Sequence, residues 1–136
     1  MTVIFPSPEW LQILEEKLNT DKQYAEIARN WEGDMCVDII PSGPITQRII
    51  YYLDLWHGKC RKTEIYTETP VNKPKFLLTA TYQDIARIMK GELDPMQAMM
   101  TRKLQVHGSL AYMMRNVPTV LDFVRCCRDI TTEVIS

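Results

Sequence analysis

The sequence predicts an α+β domain in which helices cover a five-stranded, mostly antiparallel sheet. Apolar residues recur at helical spacing before residue 31, alternate with polar residues from there to residue 67, and switch between the two periods along 75–127. An amphipathic helix repeats every 3.6 residues and a half-buried strand every two. The chain thus begins with helices, continues with a run of strands and ends with strands that alternate with helices. This order is typical of an α+β fold with the helices on one face.

Length and composition predict one domain, 1–136, of the globular class. Hydrophobic residues make up 46% and charged residues 24% of the 136 residues, and the formal net charge is −1, which gives no basis for nucleic-acid binding. No apolar run approaches the ~18 residues of a membrane span. The first residues, MTVIFPSPEW, lack the basic and apolar regions of a signal peptide, so we expect a cytoplasmic protein.

Two N-terminal helices are predicted at about 8–30. Ser7 offers an N-cap hydroxyl and Pro8 suits the first helical position. Thr20 or Asp21 begins the second helix in the same way. The pattern assigns these helices the role of a lid or a brace, without chemistry of their own.

The segment at about 33–67 predicts an antiparallel meander of three strands. Met35, Val37 and Ile39 alternate with polar residues, which indicates a strand with one solvent-exposed face. Two further alternating runs are joined by a short link at Gly58, and such links connect antiparallel neighbours. The last run is largely polar, which is typical of an edge strand.

The segment at about 75–127 predicts strand, helices, strand, helices. Thr81 and Asp94 offer N-caps, and Gly91 suits the left-handed residue that ends a helix. The tail at 129–136 is predicted to be frayed.

Cysteine and histidine spacing indicates no catalytic, metal or cofactor site. The four cysteines lack zinc spacing and any CxxC motif, and we expect reduced, buried or half-buried thiols at Cys36, Cys60, Cys126 and Cys127. His57 and His107 follow no nucleophile motif. A small enzyme with a hydrophobic substrate stays an alternative, and a buried titratable group in a cavity with a displaced pKa would be its sign.

Methionines are concentrated in one stretch, with six of the eight between Met89 and Met114. Methionine is flexible and polarisable, so such a stripe suits ligands of varied shape and fills a core equally well. The residues alone leave both interpretations open.

The same stretch resembles the sterol carrier protein-2 (SCP2) family. The similarity lies in GELDP at 91–95, the methionine-rich helix after it, and RKLQVHGSLAYMMR at 102–115. The family pattern is kept at Gly91, Leu93, Pro95, Lys103, Leu104, Val106 and Gly108. It departs at Arg102, where the family usually has glycine. The order of predicted elements also matches, over about 10–127.

The resemblance implies an apolar tunnel between helices and sheet, and a non-catalytic protein that binds or transfers a fatty acid, acyl-CoA, sterol or other apolar lipid. An accessory or dimerisation module serving a lipid- or isoprenoid-modifying enzyme is the alternative. The residues expected to bind the ligand are Leu53, Leu55, Leu77, Ile85, Met89, Met96, Met99, Met100, Leu104, Val106, Leu110, Met113, Met114, Val120, Leu121 and Val124.

Two surfaces suggest partners. Five cations between residues 101 and 128 face a single acid, and they form either a solvated surface or a contact with anionic membrane: Arg102, Lys103, Arg115, Arg125 and Arg128. Ile50, Tyr52 and Trp56 share the sheet face opposite Leu53, so we expect either a homodimer through the sheet or coverage by the N-terminal helices.

Overall fold

The computed structural model describes residues 2–136. Within this range the helices are α1 (Pro8–Thr20), α2 (Lys22–Ile27), α3 (Tyr82–Met89), α4 (Pro95–Met100), α5 (Leu110–Arg115) and α6 (Val117–Ile130). The strands are β1 (Ile4–Phe5), β2 (Met35–Ile40), β3 (Ile49–Trp56), β4 (Lys59–Tyr66), β5 (Phe76–Thr81), β6 (Gln105–His107) and β7 (Glu133–Val134). The helices and the large sheet form an α+β fold, as the sequence predicts.

The large sheet has the strand order β4-β3-β2-β5-β6. β2, β3 and β4 form the predicted antiparallel meander, and β6 pairs antiparallel with β5. β5 instead lies parallel to β2, with Met35 beside Phe76, so the chain crosses over between β4 and β5. The sheet is therefore mixed, with one parallel pairing among antiparallel ones.

The helix boundaries follow from the capping residues. The Ser7 hydroxyl accepts a hydrogen bond from the Trp10 amide at 3.1 Å, and the Asp21 carboxylate accepts one from the Tyr24 amide at 2.8 Å. These bonds satisfy amides that have no partner inside the helix. Thr81 and Asp94 cap α3 and α4 in the same way. Gly91 follows α3 with φ of 78°, as a left-handed helix end requires.

The N-terminal helices pack on the same sheet face as the others. Trp10 of α1 stacks on Tyr51 of β3 with ring centroids 5.5 Å apart, and the Glu15 carboxylate accepts a hydrogen bond from Thr63 of β4. The opposite face is therefore free of helices in the described chain. The prediction that the N-terminal helices cover Ile50, Tyr52 and Trp56 is wrong, because these residues lie on that opposite face. Ile50 is buried there without a helix above it, and Trp56 is 38% exposed beneath the Arg61 guanidinium. The homodimer stays a prediction.

The prediction that one face of β2 is exposed to solvent is also wrong. Cys36 and Asp38 are buried, because β2 is a central strand between β3 and β5. Arg48 covers Asp38 and donates two hydrogen bonds to its carboxylate, at 2.8 and 2.5 Å.

The C-terminal tail is ordered by pairing, which differs from the predicted fraying. β7 pairs in parallel with β1, and the Ile135 amide donates to the Phe5 carbonyl at 3.0 Å. The Tyr82 hydroxyl donates to the Ile135 carbonyl at 2.5 Å. The tail therefore closes one side of the helical layer.

Candidate functional site

An apolar cavity of about 110 Å³ lies between the sheet and the helices. The part of the wall that faces the empty space is apolar throughout. The floor is built by residues of β2, β3 and β5, among them Met35, Val37, Leu53, Leu55 and Leu78. Residues from each of the helices α1 to α6 complete the enclosure.

Four of the lining residues direct their polar side-chain groups to partners elsewhere in the protein. The bonds are Trp10 Nε1 to Thr131 Oγ1 at 2.8 Å, Trp31 Nε1 to the Gly33 carbonyl at 2.9 Å, Tyr51 OH to the Ser7 carbonyl at 3.0 Å, and Thr119 Oγ1 to the Ile27 carbonyl at 3.2 Å. A buried donor without a partner is costly, so these bonds allow large aromatic residues to present only carbon to the cavity.

Nine of the sixteen residues predicted from the sequence line this cavity. They are Leu53, Leu55, Ile85, Met89, Met99, Leu104, Met113, Val120 and Val124. Opposite the sheet, the cavity is therefore lined by Val120 and Val124 of α6 and by one methionine from each of α4 and α5. That these side chains contact a ligand stays a prediction.

Seven of the predicted residues do not line the cavity. Met100, Leu110 and Leu121 are 66%, 40% and 42% exposed. Leu77 is paired with the exposed His107 on the outer face, and its neighbour Leu78 takes the floor position. The half-buried residues outside the cavity are Met96, Val106 and Met114.

The sequence analysis missed the N-terminal contribution to the wall. Trp10, Leu14, Tyr24 and Trp31 line the cavity, although their helices were predicted as a lid or a brace and none of their residues as ligand-binding. Phe123 of α6 was missed as well. For the four N-terminal residues the signal was present, since they belong to the apolar stripes that predicted the helices, but the pattern does not say which stripe faces empty space. Phe123 lay outside the stripe predicted for α6.

An aromatic cluster holds α5 against the start of the sheet. The Tyr112 ring lies 5.1 Å from that of Trp31 and 5.6 Å from that of Phe76, and its hydroxyl accepts a hydrogen bond from the Glu32 amide at 3.0 Å. The Lys75 ammonium sits 4.3 Å from the Tyr112 ring centroid. Stacking, the hydrogen bond and this cation–π contact together position α5 and, with it, Met113.

A charged cluster lies between α6 and the α1–α2 junction, outside the cavity. The Arg125 guanidinium donates to Asp21, Asp122 and Asp129 at 2.7, 2.8 and 2.8 Å. The Arg125 hydrogen bond is the main cause that holds the pKa of Asp21 well below its usual range. Asp21, Asp122 and Cys126 could group around a metal ion, but the guanidinium already supplies the cation there.

Two of the five cations predicted to form a basic surface have partners within the protein. Arg125 is neutralised by carboxylates, and the Arg128 guanidinium donates to the Ile88 carbonyl at 2.7 and 3.0 Å, at the end of α3. Both side chains therefore have structural partners. Arg102, Lys103 and Arg115 are exposed, and within residues 2–136 their side chains form neither an ion pair nor a hydrogen bond.

Arg102 faces water and does not narrow the cavity. Its φ is 63°, in the left-handed region that glycine adopts most easily. This backbone conformation explains why glycine suits the position in the pattern that the sequence resembles.

The helices and mixed sheet with an apolar cavity between them define a protein of the sterol-carrier fold class. The family model described as the SCP-2 sterol transfer family matches residues 11–120, and the chain belongs to this family. No curated protein matches the chain at a significant level. Among the described residues, no helix is long and apolar enough to cross a membrane.

Solved structures share the fold. A crystal structure of sterol carrier protein 2 is 24% identical, with a TM-score of 0.83, and the alignment covers 92% of this chain and 98% of that one. A conserved protein from Thermus thermophilus, described as possibly a sterol carrier protein, gives the same identity and TM-score with 92% and 88% covered. Palmitated SCP2L2 from Aedes aegypti is 14% identical, with a TM-score of 0.56 and 85% and 93% covered.

Proposed function

We propose that this protein is a non-catalytic lipid carrier that holds the hydrocarbon part of its ligand in the cavity between helices and sheet. The observation that carries the proposal is the apolar wall, which combines aromatic residues, leucines and methionines around empty space. Each methylene buried there contributes about 0.8 kcal/mol, so a chain binds without a covalent step. The aligned palmitated protein supports a fatty acyl ligand.

The wall chemistry favours an alkyl chain whose polar end stays outside. A hydroxyl or carboxylate inside would lose its hydration, and the polar groups of Trp10, Trp31, Tyr51 and Thr119 are already engaged elsewhere. A fatty acid or acyl-CoA keeps its polar group at one end and satisfies this requirement. A sterol satisfies it only with its hydroxyl outside the cavity.

The titratable groups of the wall support a carrier over an enzyme. Burial raises the pKa of the Cys127 thiol and of the Tyr24 and Tyr51 hydroxyls, so all three stay neutral at physiological pH. A nucleophilic cysteine needs the opposite shift, toward the thiolate. Both histidines are exposed, and neither lines the cavity. The His57 ring pairs with the Glu32 carboxylate, with 2.6 Å between Nε2 and Oε2.

Native mass spectrometry of the freshly purified chain, followed by solvent extraction, is the first test. A discrete bound mass that extracts into organic solvent supports the carrier and identifies its ligand class. A ligand-free mass together with no uptake of a fluorescent fatty acid would overturn the proposal and favour the accessory-module alternative.

A cavity-filling variant tests whether this cavity is the site. In Val124→Phe the larger side chain would extend into the cavity of about 110 Å³ and reduce the space left for a ligand. Excluding only two methylenes of the ligand costs about 1.6 kcal/mol, so we expect affinity for the fluorescent fatty acid to fall at least about fifteenfold. The matched control is Val71→Phe, at a residue that is 98% exposed. Equal affinity of both variants would place the ligand elsewhere.

A further inference from the structure

α5 is a short element of the cavity wall, and its outer side is exposed. Of its six residues, Met113 is 1% exposed and lines the cavity. Leu110, Ala111 and Arg115 are exposed on the surface. The wall at this point is therefore one helix thick, and a displacement of α5 would connect the inside of the cavity with solvent.

Non-helical links bound α5 at both ends. Gly108 precedes the N-cap residue with φ of 129°, and a Cβ atom there would lie 2.5 Å from the Lys75 carbonyl oxygen. This close approach fixes the N-terminal link beside the start of β5. Asn116 separates α5 from α6 with φ of −121° and ψ of 35°. Dihedral changes at a few positions in such links are sufficient to move the short helix between them as a unit.

The Tyr112 side chain joins α5 to the segment that precedes β2. Its hydroxyl accepts a hydrogen bond from the Glu32 amide at 3.0 Å. Within residues 2–136, the other side-chain hydrogen bonds of α5 and its two cap residues connect Ser109, Tyr112 and Asn116 with one another. The Tyr112 hydroxyl therefore makes the side-chain hydrogen bond that leaves α5 for another part of the fold.

The Lys75 side chain supports the same contact from the start of β5. Its ammonium donates a hydrogen bond to the Glu32 carbonyl at 2.7 Å and lies 4.3 Å from the centroid of the Tyr112 ring. Glu32 thus binds Tyr112 through its amide and Lys75 through its carbonyl. We call these three residues the α5 latch.

The α5 latch consists of contacts that water can replace. Glu32 and Lys75 are exposed, and so is the hydrogen bond between the Glu32 amide and Tyr112. An exposed amide and an exposed ammonium bind water when tyrosine moves away, so opening leaves no buried donor without a partner. One hydrogen bond of this kind changes an equilibrium about fivefold, and an exposed cation–π contact changes it about two- to fivefold.

We propose that α5 is the part of the wall that opens to admit the hydrocarbon ligand, and that Tyr112 is the positioning residue that holds it closed. This inference rests on the proposed function, because it assigns the path by which the ligand reaches the cavity. Tyr112 acts through Met113, which leaves the wall when the latch opens. Glu32, Lys75 and Tyr112 do not line the cavity, so the latch contributes equally to the empty and the filled protein. It therefore controls the rates of entry and exit and not the affinity.

Stopped-flow fluorescence of the full chain with an anthroyloxy-labelled stearate tests this assignment. Tyr112→Phe removes the hydroxyl and keeps the ring, so we expect the rate constants of association and dissociation each to rise about fivefold. Because both rate constants scale with the open fraction of the protein, Kd should stay within about twofold of the wild-type value. Unchanged rate constants, or a change in only one of them with a matching change in Kd, would overturn the assignment.

Tyr66→Phe is the matched control for the lost hydroxyl. Tyr66 is also half-buried and donates a hydrogen bond from its hydroxyl, to Glu64, but it pairs with Ile50 on the sheet face opposite the helices. Both rate constants should therefore equal those of the wild-type chain. A rise in the control as large as in Tyr112→Phe would refute a specific role of the latch.

Lys75 variants test the cation of the latch. Lys75→Met should raise both rate constants about two- to fivefold, whereas Lys75→Arg keeps a cation for the Tyr112 ring and should remain close to wild type. Equal rate constants in Lys75→Met and the wild-type chain would remove Lys75 from the latch.

Hydrogen exchange of the ligand-free chain gives an independent readout. The Met113 and Asn116 amides bond within α5 and its caps, and they should exchange about fivefold faster in Tyr112→Phe, while the amides of α1 keep their wild-type rates. Faster exchange in α1 as well would indicate global destabilisation and would count against a local latch. A wild-type chain that takes up no fatty acid would refute the proposed function and the entry path with it, whereas uptake with unchanged rate constants in Tyr112→Phe would refute the latch alone.

Discussion

Replacing Arg125 by methionine would test whether the charged cluster beneath α6 stabilises the fold. The Arg125 guanidinium is the shared partner of Asp21 and Asp122, and the side chains of these acids are only 12% and 4% exposed. Without it, two poorly solvated carboxylates would lose their main counter-charge. Methionine keeps much of the side-chain length, so lost packing contributes little to the result.

The expected loss of stability is about 3 kcal/mol. Breaking a buried pair by removing one partner costs about 3–5 kcal/mol. The lower end of this range applies because the Arg125 side chain is 31% exposed and because Asp21 and Asp122 each keep another partner. Lys17 still lies 3.0 Å from Asp21, and the Gln23 amide still donates to Asp122 at 2.7 Å.

Urea unfolding followed by circular dichroism measures this loss, with Arg29→Met as the control. Arg29 pairs with Glu26 on the surface, where the side chains are 60% and 75% exposed, so its loss should cost less than about 0.5 kcal/mol. Adding Asp122→Asn to Arg125→Met should restore part of the stability, since the uncompensated charge is then gone. A cost for Arg125→Met within about 1 kcal/mol of the control would refute the structural role of the cluster.

Three further predictions follow from single groups. The pKa of Asp21 is lowered from 3.8, mainly by its hydrogen bond from Arg125, so the stabilisation is present above that pH and is lost as the pH falls below it. Asp21→Asn should therefore be less stable than wild type near neutral pH, and the difference in unfolding free energy should shrink on acidification; a constant difference would contradict this. Burial raises the pKa of Cys36 and Cys126 to about 11 and that of Cys60 to about 12. A thiol reagent at mildly alkaline pH should therefore label these cysteines only after urea unfolding. Rapid labelling of the folded protein would count against their burial. Arg102→Gly should leave the free energy of unfolding unchanged or raise it by up to about 1 kcal/mol, because glycine adopts the positive φ at this position without strain. A lower free energy of unfolding would show that the arginine side chain supports the fold.

The sequence predicts most of the local structure because the signals that set it are local. Ser7, Asp21, Thr81 and Asp94 each cap the helix that follows, and each hydrogen bond joins residues two or three apart. Such bonds depend little on the rest of the fold, so periodicity and capping residues place the helices within a few residues.

The orientation of β5 is harder to predict, because it depends on pairing with distant strands. Its run of consecutive apolar residues, Phe76 to Leu78, carries no alternation that selects a face, and the register decides that Leu78 and not Leu77 meets the cavity. The same reason explains Cys36 and Asp38, whose alternating pattern is typical of an exposed strand but whose strand becomes central once β5 joins β2. The parallel pairing is the long-range event that a single sequence does not reveal.

A ligand longer than a few carbons needs more than the present cavity, and the structure indicates which wall can give way. About 110 Å³ is less than the ~150 Å³ of an apolar cavity that holds a benzene molecule. The floor is a five-stranded sheet whose strands are held by continuous backbone pairing, so its expansion would break several hydrogen bonds at once. α4 and α5 are six residues each, too short to be stable without packing, and the side chain of Tyr112 is one of the contacts that hold α5. The wall that yields at least cost is therefore α4–α5, and this wall carries Met99 and Met113 on its inner side and the exposed cations on its outer side. Entry of a ligand would therefore act first on these two short helices.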